Sequence, residues 1–65
     1  MIGDNIRKIR QEKQMSMEEL AKATSLSRYT IDKIEHSRIK DFRLSTLQKI
    51  ATALNVDIIE IIHKK

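Results

Sequence analysis

An all-α domain of five short helices is the fold class this sequence predicts, and three observations predict it. The 65 residues hold no Pro and one Gly, so little in the chain interrupts helical hydrogen bonding. Apolar residues recur at three- and four-residue spacings, as in Ile2, Ile6 and Ile9 and again in Leu47, Ile50, Ala51 and Leu54. Between these stretches stand Ser, Thr and Asp where helix caps belong. A chain of this length has room for one modest core, and it reads as a single domain over 1–65.

The first helix runs to about Lys13, with its isoleucines inward and Arg7, Lys8, Arg10 and Glu12 on the other positions. Ser16-Met17-Glu18-Glu19 is a capping box: the Ser16 hydroxyl accepts from the amide of Glu19, whose carboxylate accepts from the amide of Ser16. A second helix therefore starts at Met17 and buries Leu20, Ala21 and Thr24. Ser25-Leu26-Ser27 interrupts the pattern, and Ser27 is placed to cap a third helix that turns Ile31 and Ile34 inward. After a polar stretch from His36 to Arg43, Ser45-Thr46-Leu47-Gln48 reads as a second capping box and opens the fourth helix. Asn55 suits the left-handed residue beyond that helix, and Asp57 caps a last one from Ile58 to about His63.

Thirteen Lys and Arg against nine Asp and Glu leave a net charge of +4 and a pI near 9.7. That balance favours a polyanionic partner. The absence of Cys rules out disulfides and thiolate metal sites. Ile58-Ile59 and Ile61-Ile62 form too short an apolar stretch to span a bilayer, and the N-terminus lacks the apolar block of a signal peptide. The reading is of a soluble cytoplasmic protein without membrane contact. His36 and His63 lie apart from any carboxylate or thiolate cluster and suit helix C-termini, so neither metal nor cofactor is expected. With no nucleophile–base constellation and no Gly-rich phosphate loop in view, the chain reads as a non-enzyme.

Only about three residues separate the second and third helices. A helical hairpin also tolerates so short a turn, and the offsets are more telling. Ala21 supplies a small residue four positions before Ser25, Ile31 and Ile34 lie six and nine after it, and Leu20 and Leu26 complete the set. This is the pattern of a helix-turn-helix, whose two helices cross steeply over a tight turn.

The run Leu20-Ala21, Leu26-Ser27, Ile31, Ile34-Glu35, then Leu47, Ile50-Ala51, Ala53-Leu54 and Val56 resembles the Cro and lambda-type phage repressors, the xenobiotic-response-element family of bacterial regulators. The similarity extends from Ile2-Gly3 to Ile62. It implies a lambda-repressor-like five-helix fold that binds double-stranded DNA, its third helix in the major groove, usually as a homodimer on a palindromic operator. The chain departs from the family pattern at Met17, where a phosphate-gripping Gln is usual, and at Gln14 and Ser25, where Gly is common. With Met17 in place, backbone amides are left to bind phosphate at that helix start.

Arg28, Tyr29 and Lys33 occupy positions matching the family's base-reading sites. Arg28 stands in the first turn of the third helix, and its fork suits both acceptors of a guanine. An alternative for Arg28 is an ion pair with Asp32 four residues on, which would also steady the guanidinium. Ser16, Met17, Ser27 and Thr30, with Arg38, Lys40 and Arg43, are the expected phosphate contacts. Arg10 and Glu35 match a family pair that forms an internal salt bridge between the first and third helices. Ile59 stands where a polar residue is usual and widens the apolar stripe of the last helix, which makes Ile58, Ile59 and Ile62 candidates for a dimer interface. The leading function is therefore a sequence-specific transcriptional regulator, a repressor. An antitoxin or restriction-modification controller uses the same fold, and a protein-interaction module of another class would need an apolar or acidic third-helix surface. The start at Met1 and the basic end at Lys64-Lys65 suit a complete small protein.

Overall fold

The structure, a computed structural model, describes residues 2–36 and 43–63. Among them five helices follow in order: α1 (Ile2–Glu12), α2 (Met17–Thr24), α3 (Arg28–His36), α4 (Leu44–Leu54) and α5 (Ile58–Ile62). α1 packs on α3 and α5, α2 packs on α3 and α4, and α4 closes against α5. The inward stripes meet in one cluster, in which Ile6, Leu20, Ile31, Ile50 and Ile61 are wholly excluded from solvent. The stripe on α3 is narrower than its sequence pattern: Ile31 is buried and Ile34 only partly, while Glu35 takes an inner position. None of the helices among the described residues is long and apolar enough to cross a membrane.

Three helices end in the same way. Gln14, Ser25 and Asn55 adopt left-handed backbone with φ of 55°, 62° and 58°. The next residue in each case returns its amide to the last turn: Met15 to the Arg10 carbonyl, Leu26 to Ala21 and Val56 to Ala51, at 3.0–3.1 Å. This closure satisfies carbonyls that a helix end leaves without partners. Each of the three donors is apolar and packs against the core, so the turn that stops the helix also presses its exit onto the hydrophobic cluster. None of the left-handed residues is Gly, which costs on the order of 1 kcal/mol at each position.

Helix starts are mostly read off the sequence. Ser16 and Glu19 exchange hydrogen bonds of 2.9 and 3.0 Å, Ser27 accepts from the amide of Thr30, and Asp57 and Glu60 form a second capping box. The start of α4 is the exception. Ser45 lies inside the helix, and Arg43 is the N-cap with no side-chain hydrogen bond. Starting there lets the amide of buried Leu47 donate to the Arg43 carbonyl at 3.1 Å. With Ser45 as cap, that amide would have lacked an intrahelical carbonyl.

Gly3, the sole glycine, sits buried in the first turn of α1. A Cβ there would run into the carbonyl oxygens of Ile34 and Glu35, the latter at 2.8 Å. Both obstacles are backbone, so neither can swing aside. The missing side chain is what lets α1 lie against the last turn of α3. Asn5 adds a polar tie, its amide donating to the Ile61 carbonyl of α5 at 2.6 Å.

Gly3→Ala is expected to destabilise the protein by about 1–3 kcal/mol through overpacking, measured by urea denaturation followed by circular dichroism. Ser25→Gly should act in the opposite sense, adding about 0.5–1 kcal/mol by relieving left-handed strain and raising the melting temperature by several degrees.

Candidate nucleic-acid interface

The placement of α3 begins with a charge that has no water. Glu35 is 2% exposed, and its carboxylate is met by the Arg10 guanidinium in a two-pronged pair, Nε to Oε2 at 2.7 Å and Nη2 to Oε1 at 3.0 Å. The remaining arm of the guanidinium donates from Nη1 to the Met15 carbonyl at 2.8 Å. One side chain on α1 thus joins α3 to the turn that leads into α2. Both buried groups are satisfied, the condition under which such a pair fixes geometry without a large penalty. Gly3 makes the approach possible, and Arg10 sets its register.

With its inner face fixed in this way, α3 turns a polar face outward. Arg28, Asp32 and Lys33 are exposed, and Tyr29 is 74% exposed with its ring away from the core. Arg28, Tyr29 and Asp32 line one shallow hollow. The alternative Arg28–Asp32 pair does not form. Asp32 instead meets His36, one turn further on, with Oδ1 3.0 Å from Nδ1. The same nitrogen lies 3.0 Å from the Asp32 carbonyl. On a helix an acid pairs better with a basic residue four positions on than with one four positions back; here the imidazole at the helix end lies beside the carboxylate and Arg28 stays exposed without it.

The expected phosphate contacts among the described residues lie at the starts of α2, α3 and α4. Ser27 accepts from the Thr30 amide at 3.1 Å and lies 2.9 Å from the Thr30 hydroxyl, so both are occupied in starting α3. No acidic residue stands in the first turn of α3 or of α4, which leaves the positive ends of both helix dipoles uncompensated by their own first turns. Arg43 is exposed at the start of α4; Arg38 and Lys40 fall outside the described residues. The start of α2 is different. Its capping box occupies the amides of Ser16 and Glu19, and Glu18 and Glu19 place two carboxylates there. Only the Met17 and Glu18 amides remain for an anion, and the Met17 side chain packs towards the core. The Ser16 amide and hydroxyl hold the Glu19 carboxyl below its ordinary value.

On α5, Ile59 is 61% exposed and Ile62 37%, while Ile58 packs partly against the core. Leu44 at the start of α4 is a further exposed apolar residue, at 63%. Among the described residues no group of three or more His, Cys, Asp or Glu could hold a metal.

Two contributors escaped sequence reasoning. The duty of Gly3 was signalled by its being the lone Gly, set within a helical pattern. The carbonyl of Met15 as an arginine acceptor had no side-chain signal at all.

Two packed helices joined by a tight left-handed turn, the second anchored inward by an ion pair and polar outward, define the helix-turn-helix class. Residues 5–63 match the family described as the Cro/C1-type helix-turn-helix DNA-binding domain, and the chain belongs to that family. The N-terminal DNA-binding domain of SinR from Bacillus subtilis is similar, with a TM-score of 0.87 at 28% identity over 100% of this chain and 94% of that one. SinR, described as the master regulator for biofilm formation and solved in complex with DNA, gives 0.88 at 27% identity, over 97% of this chain and 100% of that chain. C.AhdI from Aeromonas hydrophila, a restriction-modification controller, gives 0.84 at 30% identity, over 92% and 89%. No curated protein matches the chain.

Arg10→Ala and Glu35→Ala should each cost about 3–5 kcal/mol, because each leaves a buried charge unpaired; denaturant unfolding of both single variants tests this. In Ser16→Ala, the Glu19 titration midpoint seen by NMR should rise towards the ordinary glutamate value. The sign follows from linkage: a depressed carboxyl stabilises the fold above its ordinary midpoint, and that support disappears as pH falls through the lowered one. Stability of the wild type at pH 7 should therefore exceed that of Ser16→Ala by more than it does in strong acid.

Proposed function

We propose that this protein is a sequence-specific transcriptional repressor that binds a palindromic operator as a homodimer, with α3 in the major groove. The observation that carries this reading is the outward face of α3. Arg28, Tyr29 and Lys33 have no core to serve and project from a helix clamped from behind by Arg10 and Glu35. Arg28 offers a fork for the two acceptors of a guanine. Tyr29 is suited to a thymine methyl or a phosphate, and Lys33 to a guanine or a phosphate.

Phosphate contacts set register and affinity around that reading head. Arg43 is proposed for it, with Arg38 and Lys40 alongside, and with the hydroxyls of Ser27 and Thr30, which otherwise serve the start of α3. Ser16 and Met17 contribute backbone more than side chain, and the two carboxylates of α2 make this end the weaker grip. The likeness to SinR, solved in complex with DNA, supports DNA as the partner.

Self-association is assigned to α5. Ile59 and Ile62 expose apolar surface beside Ile58, and a two-fold pairing of that surface would present two copies of α3 to successive turns of a duplex. The likeness to C.AhdI favours a second reading in which the regulated genes are those of a restriction-modification system.

Arg28→Ala is expected to weaken specific operator binding far more than non-specific binding, read by titration of operator and random duplexes. Arg43→Ala should weaken both and flatten the salt dependence by about 0.9 in log–log slope, the change expected when one phosphate is no longer neutralised. Selection from random duplex DNA should return two-fold symmetric sites with half-sites about one helical turn apart. An asymmetric product would overturn the dimeric reading, as would an Ile59→Glu variant that sediments and binds like the wild type.

A further inference from the structure

The outer face of α3 carries one acid that the assigned contacts do not use. Asp32 is the only carboxylate on that face of the helix, since Glu35 is turned inward. Its side chain is 56% exposed, lies between Arg28 and Tyr29 on the helix surface, and lines the same hollow. A carboxylate beside a phosphate backbone is repelled, so its place on a DNA-facing helix calls for a partner of a different kind.

The geometry around it is specific. His36 Nδ1 is 3.0 Å from both Oδ1 and the carbonyl of Asp32. The ring hydrogen-bonds to the Asp32 carbonyl and lies against one carboxylate oxygen at ion-pair distance. The second oxygen keeps its lone pairs, and Arg28 does not take them. In the major groove only two groups donate, the exocyclic amines of cytosine and adenine. Adenine sets its amine beside the N7 acceptor, which repels a carboxylate, whereas the cytosine amine has only a ring C–H next to it. Guanine and thymine offer acceptors at the same place, and a fixed carboxylate rejects them.

We propose that Asp32 is a base-selecting residue of α3, its carboxylate flanked by His36 and placed to accept a hydrogen bond from the exocyclic amine of a cytosine next to the position read by Arg28. The face then reads with both signs, a cationic fork for an acceptor-rich base and an anionic group for a donor. His36 is a positioning residue, acting through the orientation of Asp32. The proposal rests on α3 entering the major groove.

The test is selection from random duplex DNA with the full-length chain and its variants, folding of each checked by circular dichroism. The wild type should show a cytosine preference of roughly tenfold at one position per half-site. Asp32→Ala should abolish it and leave the preference governed by Arg28 in place. His36→Ala should blunt it and His36→Gln, which keeps an N–H donor, should restore it; an unchanged preference in His36→Ala would overturn the positioning role. Asp32→Ala that binds all sequences more tightly with an unaltered profile would overturn the proposal and make Asp32 a source of repulsion alone. A wild-type preference for adenine at that position, lost in Asp32→Ala, would overturn the assignment to cytosine. If Arg28→Ala also leaves the profile untouched, base reading by α3 fails as a whole; if Arg28→Ala changes it and Asp32→Ala does not, only the inference about Asp32 fails.

Discussion

A guanidinium carries five N–H donors, and a small helical protein has few places to bury one without leaving some of them dry. Arg10 solves this by dividing its donors between two partners, the carboxylate of Glu35 and the carbonyl of Met15. The arrangement depends on everything near it. Glu35 can reach Arg10 only because Gly3 lets α1 lie on the end of α3. The Met15 carbonyl is presented only because Gln14 turns left-handed and stops α1 there. Two bulky or right-handed choices at those positions would strand a buried charge. The hydrophobic cluster supplies most of the driving force for folding, but an apolar stripe tolerates small rotations of a helix. A two-pronged hydrogen-bonded pair does not, and it fixes which residues of α3 face out.

The consequence is a helix with two separate duties. Ile31 and Glu35 hold it, whereas Arg28, Tyr29, Asp32 and Lys33 touch little of the remaining fold. Caps and closures repeat the same economy elsewhere. Serines 16 and 27 and Asp57 open helices, and the left-handed residues followed by Met15, Leu26 and Val56 close them. Short helices of this length are unstable alone, so the exits that press apolar side chains into the core are part of what keeps them helical.

How much of this was legible in the chain depended on sequence distance. Capping between Ser16 and Glu19 and the closure at Asn55 are local, and local chemistry announces them. Ser45 shows the limit of that reasoning: Ser45 and Gln48 satisfied the capping pattern, yet the amide of buried Leu47 decided the start of α4 in favour of Arg43. Asp32 had two partners at four-residue spacing, Arg28 and His36, and only the direction of the pairing along the helix favours His36. The Arg10–Glu35 pair spans 25 positions and was expected through family likeness rather than periodicity. Gly3 was visible as an oddity, but the two carbonyls it avoids belong to another helix and become apparent only in three dimensions.

Clamping α3 from behind also separates the residues that can be exchanged from those that cannot. Substitutions at 28, 29, 32 and 33 alter the outer surface while the bolts at 3, 10 and 35 stay in place. If α3 reads DNA as proposed, a change of target needs only those exposed positions and leaves the contacts of Gly3, Arg10 and Glu35 untouched. The surface proposed to read DNA and the contacts that hold the scaffold fall on opposite sides of one nine-residue helix.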